Sequence, residues 1–479
     1  MPVPIPTIVM KFGGSSIANA ERIRTVAGIV KERLGERPVL VLSAMGDVTD
    51  HLLDAAEKAL REGPSSTAGL AQSLAGMHEE VISGLGLGGG ASGEHERHEE
   101  QAELAEIKTL LNELADLIAG ISLIRELTPK TKDYLVSFGE RLSVRIVAAY
   151  FNKIGVQARP LDAWDAGITS TGDFTAAEPV MEECREHIPR AVGPLVNAGI
   201  VPVVTGFIAK CYAASDDRTN PTAGDITTLG RGGSDLTATL IAAACGAKEA
   251  QVWKDVDGVL TADPRIVENA RPVESLTYDE AAELAYFGAQ VLHPRAMMPC
   301  IQTGVPVLVK NSYNPAAKGT RISCSHENRD ERAVRAVTSK KNITLVDIVS
   351  TRMLGQSGFL AEVFAIFAAH KISIDVIATS EVSISLTIDG EKDLAEVRKS
   401  LQRVADVEVK TGKSIVTIIG DVSRSSEILA RAFTVCSRLG IAVEMVSQGA
   451  SKVNISFIVR DADAPSVIKA LHKSFFESE

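Results

Sequence analysis

A chain of 479 residues exceeds one ordinary domain and suffices for two or three, and its 45% hydrophobic content supports large buried cores. A net charge of −11 with both signs interspersed argues against a nucleic-acid partner, and no apolar run is long enough to cross a bilayer. Cys184, Cys211, Cys245, Cys300, Cys324 and Cys436 are scattered without CxxC or zinc-like spacing, which reads as free thiols in a reducing compartment.

In chain order, MPVPIPTIVMKFGG shows neither a signal peptide nor a Ser/Arg-rich transit segment and runs into a strand at Thr7–Lys11. The chain reads as cytoplasmic, or as plastid-stromal if a transit segment has been removed. Asn19 is placed to cap a helix whose apolar face is Ile23, Val26, Ala27, Val30 and Leu34. Val39–Ala44 follows as a buried strand, then a helix from about Thr49. Gly84–Gly93 reads as a flexible linker, because no strand precedes it and no phosphate-binding lysine follows. His95, Glu96, His98 and Glu99 read as a solvated helix start rather than a metal cluster. Glu103–Ile124 and Lys130–Ile154 are long helical patterns, and Val201–Thr205, Ala250–Trp253 and Val305–Val309 are strands. Ala213–Gly224 reads as a surface hairpin. Such alternation predicts an α/β fold with a largely parallel sheet and ligands at the loops beyond its strand ends.

After Asn314-Pro315 the pattern changes. Two units of order strand, helix, strand, strand begin near Ile343 and Ile415, and their matching strands lie roughly 70 residues apart. The predicted division is residues 1–325, 326–413 and 414–479.

Four loops and one helix hold the chemistry. Lys11-Phe12-Gly13-Gly14-Ser15-Ser16 can bring backbone N–H groups and a lysine to phosphate oxygens, although a plain strand–turn–helix explains KFGG about as often. Thr49 is either a carboxylate ligand or a helix cap. Thr227–Asp235 (TTLGRGGSD) is the densest loop: Arg231 can grip a carboxylate with two hydrogen bonds, and Asp235 can orient a lysine or help organise Mg2+. Trp253–Arg265 has the acids and glycine of a nucleotide site but not the spacing of a calcium loop. Within the helix Phe138-Gly139-Glu140-Arg141, the glycine implies a close approach. Glu140 can take an ammonium or simply form a surface pair.

VMKFGGSS, LTPKTKDYLVSFGER, VVTGFI, TTLGRGGSD, VWKDVDGVLTADPR and ELAYFGAQVLHPRAM, in this order, resemble the aspartate kinase branch of the amino-acid kinase family. STRMLGQSGFLAEVF, TSEVSISL and VSQGASKVNISFIV resemble its two ACT regulatory units, and YLVSFGER, VWKDVDGVLT and VKNSYNP resemble the plant-type, lysine-sensitive, monofunctional members in particular. The resemblance implies a three-layer sandwich around a largely parallel sheet, followed by two ferredoxin-like α+β ACT units. It implies transfer of a phosphoryl group from ATP, with Mg2+, to the side-chain carboxylate of L-aspartate. Lys11 and Asp235 would be catalytic. Lys11, Gly13, Gly14, Ser15, Lys254, Asp255, Leu260, Arg265 and Lys310 would meet ATP, and Thr49, Glu140, Arg231 and Ser234 would meet aspartate. No protein-held metal site is implied. Lysine would inhibit through the first ACT unit at Met353, Gly355, Gly358, Phe359, Leu360, Asp375, Ser380 and Glu381, and the ACT units would join a homodimer.

A carboxylate acceptor is already ionised at neutral pH and needs no general base, so His293 is expected to be structural. Rival readings are a family relative acting on glutamate, N-acetylglutamate, carbamate or UMP, and a non-catalytic amino-acid sensor. FGER with GRGGSD and paired repeats opposes the first. Intact Lys11, Arg231 and Asp235 oppose the second.

Overall fold

Apolar runs buried along their whole length form the innermost strands, β1 (Ile8–Phe12) and β2 (Pro38–Leu42), as expected of a parallel sheet covered on both faces. The computed structural model describes residues 7–89, 94–212, 222–288, 291–326, 333–353, 357–390, 394–449 and 453–477. Asn19 caps α1 (Ala20–Lys31) by accepting from the Arg22 N–H at 3.0 Å. The helices α2 (Val48–Glu62), α3 (Pro64–Gly84), α4 (Glu94–Ile124) and α5 (Pro129–Lys153) follow β2. Thr128 caps α5, and Pro129 occupies its first turn, where the missing N–H is not needed.

Next come β3 (Ala158–Leu161), β4 (Thr169–Ser170), α6 (Met181–Asn197), β5 (Val201–Thr205), β6 (Ile208–Cys211), β7 (Ile226–Thr228), α7 (Gly233–Cys245) and β8 (Glu249–Lys254). After β9 (Ser275–Thr277) and α8 (Tyr278–Tyr286) the chain forms α9 (Pro294–Thr303), β10 (Val307–Asn311) and β11 (Thr320–Ser323). The main sheet runs β3-β5-β2-β1-β8-β10-β11, parallel throughout except for β11, which pairs antiparallel to β10. The strands β4, β6 and β7 make a small separate sheet.

Two compact units emerge: Met1–Gly258 with Leu292–Ser325, and Val259–Val291 with His326–Glu479. The excursion Val259–Val291 was not visible as a separate segment in the alternating pattern. It joins the second unit because Ala262 and Val267 pack with Val337 and Ile468, and Thr261 Oγ1 meets the buried His472 Nε2 at 2.9 Å. The Gly84–Gly93 stretch is not an open linker where it is described. Leu85 and Leu87 are buried, and Gly88 N–H donates to Glu100 at 3.0 Å. Residues 90–93 and 213–221, within the expected linker and hairpin, lie outside the described residues.

In the second unit the repeat becomes one antiparallel sheet. Its strands are β12 (Val334–Val349), β13 (Ile374–Thr379), β14 (Ser383–Asp389), β15 (Asp406–Gly420), β16 (Met445–Gln448) and β17 (Asn454–Arg460), in the order β13-β14-β12-β15-β17-β16. The central strands β12 and β15 pair with each other over most of their length, which fuses the two repeats. One half is covered by α10 (Phe359–Ala369) and α11 (Leu394–Leu401), and the other by α12 (Ser425–Arg438) and α13 (Ala464–His472). Among the described residues no helix is long and apolar enough to cross a membrane.

Candidate active site

In the first unit the main strands β1, β2, β5, β8 and β10 run in one direction, so the loops that follow them gather at one edge of the sheet. Lys11, near the end of β1, is 7% exposed, and its ammonium lies 2.6 Å from Asp235 Oδ1 in the first turn of α7. Lys254, the last residue of β8, reaches the other oxygen at 3.4 Å. Burial alone would raise the Asp235 pKa. The two lysines outweigh it and hold the carboxyl below its ordinary range, so it stays ionised.

Close backbone approaches lock these loops together. A Cβ on Gly14 would stand 2.7 Å from Gly46 O, and one on Gly139 would stand 2.7 Å from Ala44 Cβ. The approach expected at Gly139 is therefore the loop after β2. Ser43 Oγ donates to Ser234 Oγ at 3.0 Å, and Ser16 and Ser312 share a buried hydrogen bond of 2.8 Å.

A cavity of about 500 Å³ opens at this edge, and Lys11, Thr49, Glu140, Arg231, Ser234 and Asp235 all line it. Glu140 is buried. Its Oε1 accepts the Ala44 N–H at 3.1 Å, while Oε2 has no hydrogen-bond partner among the described residues. Loss of solvation pushes its pKa up to about 8, against the opposing pull of Ala44 N–H and Lys11. Arg231 is exposed and makes no ion pair among the described residues, so its guanidinium is available to an anion.

Gly14 also lines the cavity, while Gly13, Ser15, Lys254 and Asp255 do not. Gly13 begins the short helical turn after β1, and Asp255 is exposed beyond β8. Lys310 holds its ammonium 5.4 Å from the centre of the Trp253 ring. Leu260 and Arg265 belong to the second unit, where Leu260 bridges Pro272 and Arg265 grips Asp263 at 2.7 Å.

Of the expected effector residues, Gly355 lies outside the described ones. Gly358, at φ +96°, precedes the first turn of α10, which has no side-chain cap among the described residues. Phe359 is buried in the local core beside Met353, and Leu360 is exposed. Ser380 shapes the β13–β14 turn by bonding Ser383, with exposed Glu381 beside it. Asp375 is not waiting for a partner: Tyr286 Oη donates to it and the Lys340 ammonium lies 3.0 Å away.

Thr228, inside the TTLGRGGSD loop, and Ser43, in the loop that leads to Thr49, line the cavity too, as do Lys132, Asp133, Thr175 and Phe207, which sequence reasoning passed over. Asp133 stands seven residues before Glu140, two helical turns along the same face of α5, and that spacing was the available signal. Thr175 and Phe207 carry positive φ of 72° and 68°, which no residue pattern announces. His293 caps α9 and packs against Gly232.

The sequence model of the Amino acid kinase family matches residues 6–311, and that of the ACT domain matches residues 346–404 and 416–475. The chain is 48% identical to Aspartokinase 1, chloroplastic, of Arabidopsis thaliana, over 98% of this chain and 80% of that protein. It resembles the crystal structure of E. coli aspartokinase III in complex with aspartate and ADP (R-state), with a TM-score of 0.77, 33% identity and coverage of 98% and 100%. The same enzyme in complex with lysine and aspartate (T-state) matches with a TM-score of 0.75, 33% identity and coverage of 98% and 99%.

Proposed function

Because the chain belongs to the aspartokinases of the amino acid kinase family, we propose that its first unit seats L-aspartate in the cavity between Glu140 and Arg231 and phosphorylates it beside Lys11. The protein is an aspartate kinase: it transfers the terminal phosphoryl group of ATP to the β-carboxylate of aspartate, giving 4-phospho-L-aspartate. The observation that carries the site is the convergence of Lys11, Thr49, Glu140, Arg231, Ser234 and Asp235 on one cavity.

Arg231 takes the α-carboxylate with its planar fork. The aspartate ammonium displaces the proton of Glu140 and occupies the unpartnered Oε2. The β-carboxylate is left pointing to Lys11. It attacks the phosphorus unaided, since an ionised carboxylate needs no base, and the bond to the ADP oxygen breaks. Lys11 neutralises charge building on the transferring group, and Asp235, paired with both Lys11 and Lys254, keeps that ammonium in place. Gly14 and Ser15 present N–H groups to the phosphates beside Gly13, whose own N–H donates to Trp253 O at 3.4 Å, with Asp255 and Lys310 as outlying nucleotide contacts. Leu260 and Arg265 are kept as nucleotide contacts on family resemblance alone.

Among the described residues no group of three His, Cys, Asp or Glu side chains could hold a metal ion. Mg2+ would come as a companion of the nucleotide, with phosphate oxygens and water as its main ligands and Asp255 available to it. When bound, it supplies charge neutralisation between phosphate oxygens.

The second unit supports inhibition by lysine, with the carboxylate at the start of α10 and the ammonium groups at Asp375, Ser380 and Glu381. A homodimer joined through the ACT units and a plastid-stromal or cytoplasmic location complete the proposal; the chloroplastic relative supports the former location.

Trapping the product with hydroxylamine in the presence of ATP and aspartate tests the activity. Absence of aspartyl hydroxamate would sink it. In the same assay Glu381→Ala should need several-fold more lysine for half-inhibition, with activity at saturating substrate nearly unchanged; an unmoved lysine curve removes Glu381 from the effector site.

A further inference from the structure

The two residues before the Gly230–Gly233 loop have every backbone polar group committed. Thr228 N–H donates to Asp133 Oδ2 at 2.9 Å, and Thr228 O accepts from Ala177 N–H at 2.9 Å. Leu229 N–H donates to Phe207 O at 2.7 Å, and Leu229 O accepts from Arg295 Nη1 at 3.1 Å. Two ionisable side chains thus bracket the base of the loop from opposite sides.

The same two side chains bracket a second segment. Asp133 Oδ2 also accepts the Thr175 N–H at 2.8 Å, and Arg295 Nη2 donates to Ala177 O at 2.8 Å. Thr175 has a positive φ of 72°, a strained state for a β-branched residue that persists only where its surroundings over-determine it. The acid takes two N–H groups and the guanidinium takes two carbonyls, each from one of two adjacent segments. Thr228 Oγ1 adds a 2.9 Å bond to Asp133 Oδ1.

We infer that Asp133 and Arg295 are positioning residues for aspartate binding, setting where Arg231 emerges from its loop. This rests on the assignment of Arg231 to the aspartate carboxylate. Asp133 shares α5 with Glu140, so one rigid helix both carries the ammonium acceptor and registers the base of the loop that carries the carboxylate donor. The span between the two ends of the substrate is thereby set by a helix face rather than by a loose loop. Beyond this base the chain turns through Gly230 at φ +71° and Gly232 at φ +76°.

The test is steady-state kinetics on Asp133→Ala, Asp133→Asn and Arg295→Gln, with Arg231→Lys as control and melting temperatures alongside. Asp133→Ala and Arg295→Gln should raise the KM for aspartate about tenfold while the KM for ATP stays within about twofold, because Lys11 and Asp235 are held by other elements. Asp133→Asn should return to within about threefold of the parent, because its amide oxygen can accept both N–H groups and its NH2 can donate to Thr228 Oγ1. Equal defects in the Ala and Asn variants, or parallel rises in both KM values, overturn the inference. If Asp133→Ala fails to fold, Arg295→Gln decides alone: an unchanged aspartate KM overturns it and a selective rise sustains it. An Arg231→Lys variant with unaltered aspartate KM would instead remove the underlying site assignment.

Discussion

Glu140 joins chemistry to stability in one side chain. The ordinary pKa is 4.5 and burial lifts it to about 8, so between those values the folded chain keeps a proton that the unfolded chain releases. A raised carboxylate pKa means stability falls as pH rises through that window and levels off above about 8. Glu140→Gln should remove this slope, so its melting temperature should gain on the parent from pH 5 to 8 while aspartate phosphorylation collapses. In the parent, aspartate must displace the proton, so its KM should fall by up to about tenfold per pH unit on approaching pH 8. Kinetics and thermal melts across pH 6–9 check both, and a flat KM would contradict the displacement. The acid itself was legible in FGER. Its proton affinity was not, because that depends on the burial supplied by the surrounding loops and helices.

At the scale of elements, helix α5 carries more than its amphipathic pattern promised. It presents Asp133 and Glu140 to the cavity and leaves Gly139 against the loop after β2. Gly139→Ala would place a methyl 2.7 Å from Ala44 Cβ, so either the helix or the loop must shift. The expected result is about 1–3 kcal/mol of lost stability, with a raised aspartate KM because Thr49 and the N–H that Glu140 accepts move together. Urea titration and kinetics measure the two effects, and a variant with unchanged aspartate KM would show that the contact only packs. A glycine in a helix announced an approach; only the fold could name the approaching residue. The positive φ of Thr175 and Phe207 left no mark at all, since both are types that normally avoid that region.

Over the whole molecule, the chain leaves the first unit at Gly258, returns at Leu292 and leaves again after Ser325. The part that sequence patterning assigned to the first 325 residues therefore contributes α8 to the second unit. From α8, Tyr286 bonds Asp375, and Lys340 lies 4.7 Å from the centre of the Tyr286 ring while pairing with Asp375 and Asp389. If lysine binds at Asp375, its ammonium must displace one already present. Lys340→Met removes that competitor and should lower the lysine concentration for half-inhibition by about 3–10-fold. Inhibition curves measure this, and unchanged or weaker inhibition would count against Asp375 as an effector contact.

By itself the sequence determined the alternating α/β class, the tandem repeat, and the residue types that gather at the strand ends. Each of these follows from short-range periodicity or from chemistry carried within one loop. Tertiary structure alone decided that Lys11 shares Asp235 with Lys254, that Glu140 holds its proton to about pH 8, and that Asp133 and Arg295 bond to the same two backbone segments. These depend on distance and on exclusion of water between parts of the chain far apart in sequence, and no local pattern encodes either.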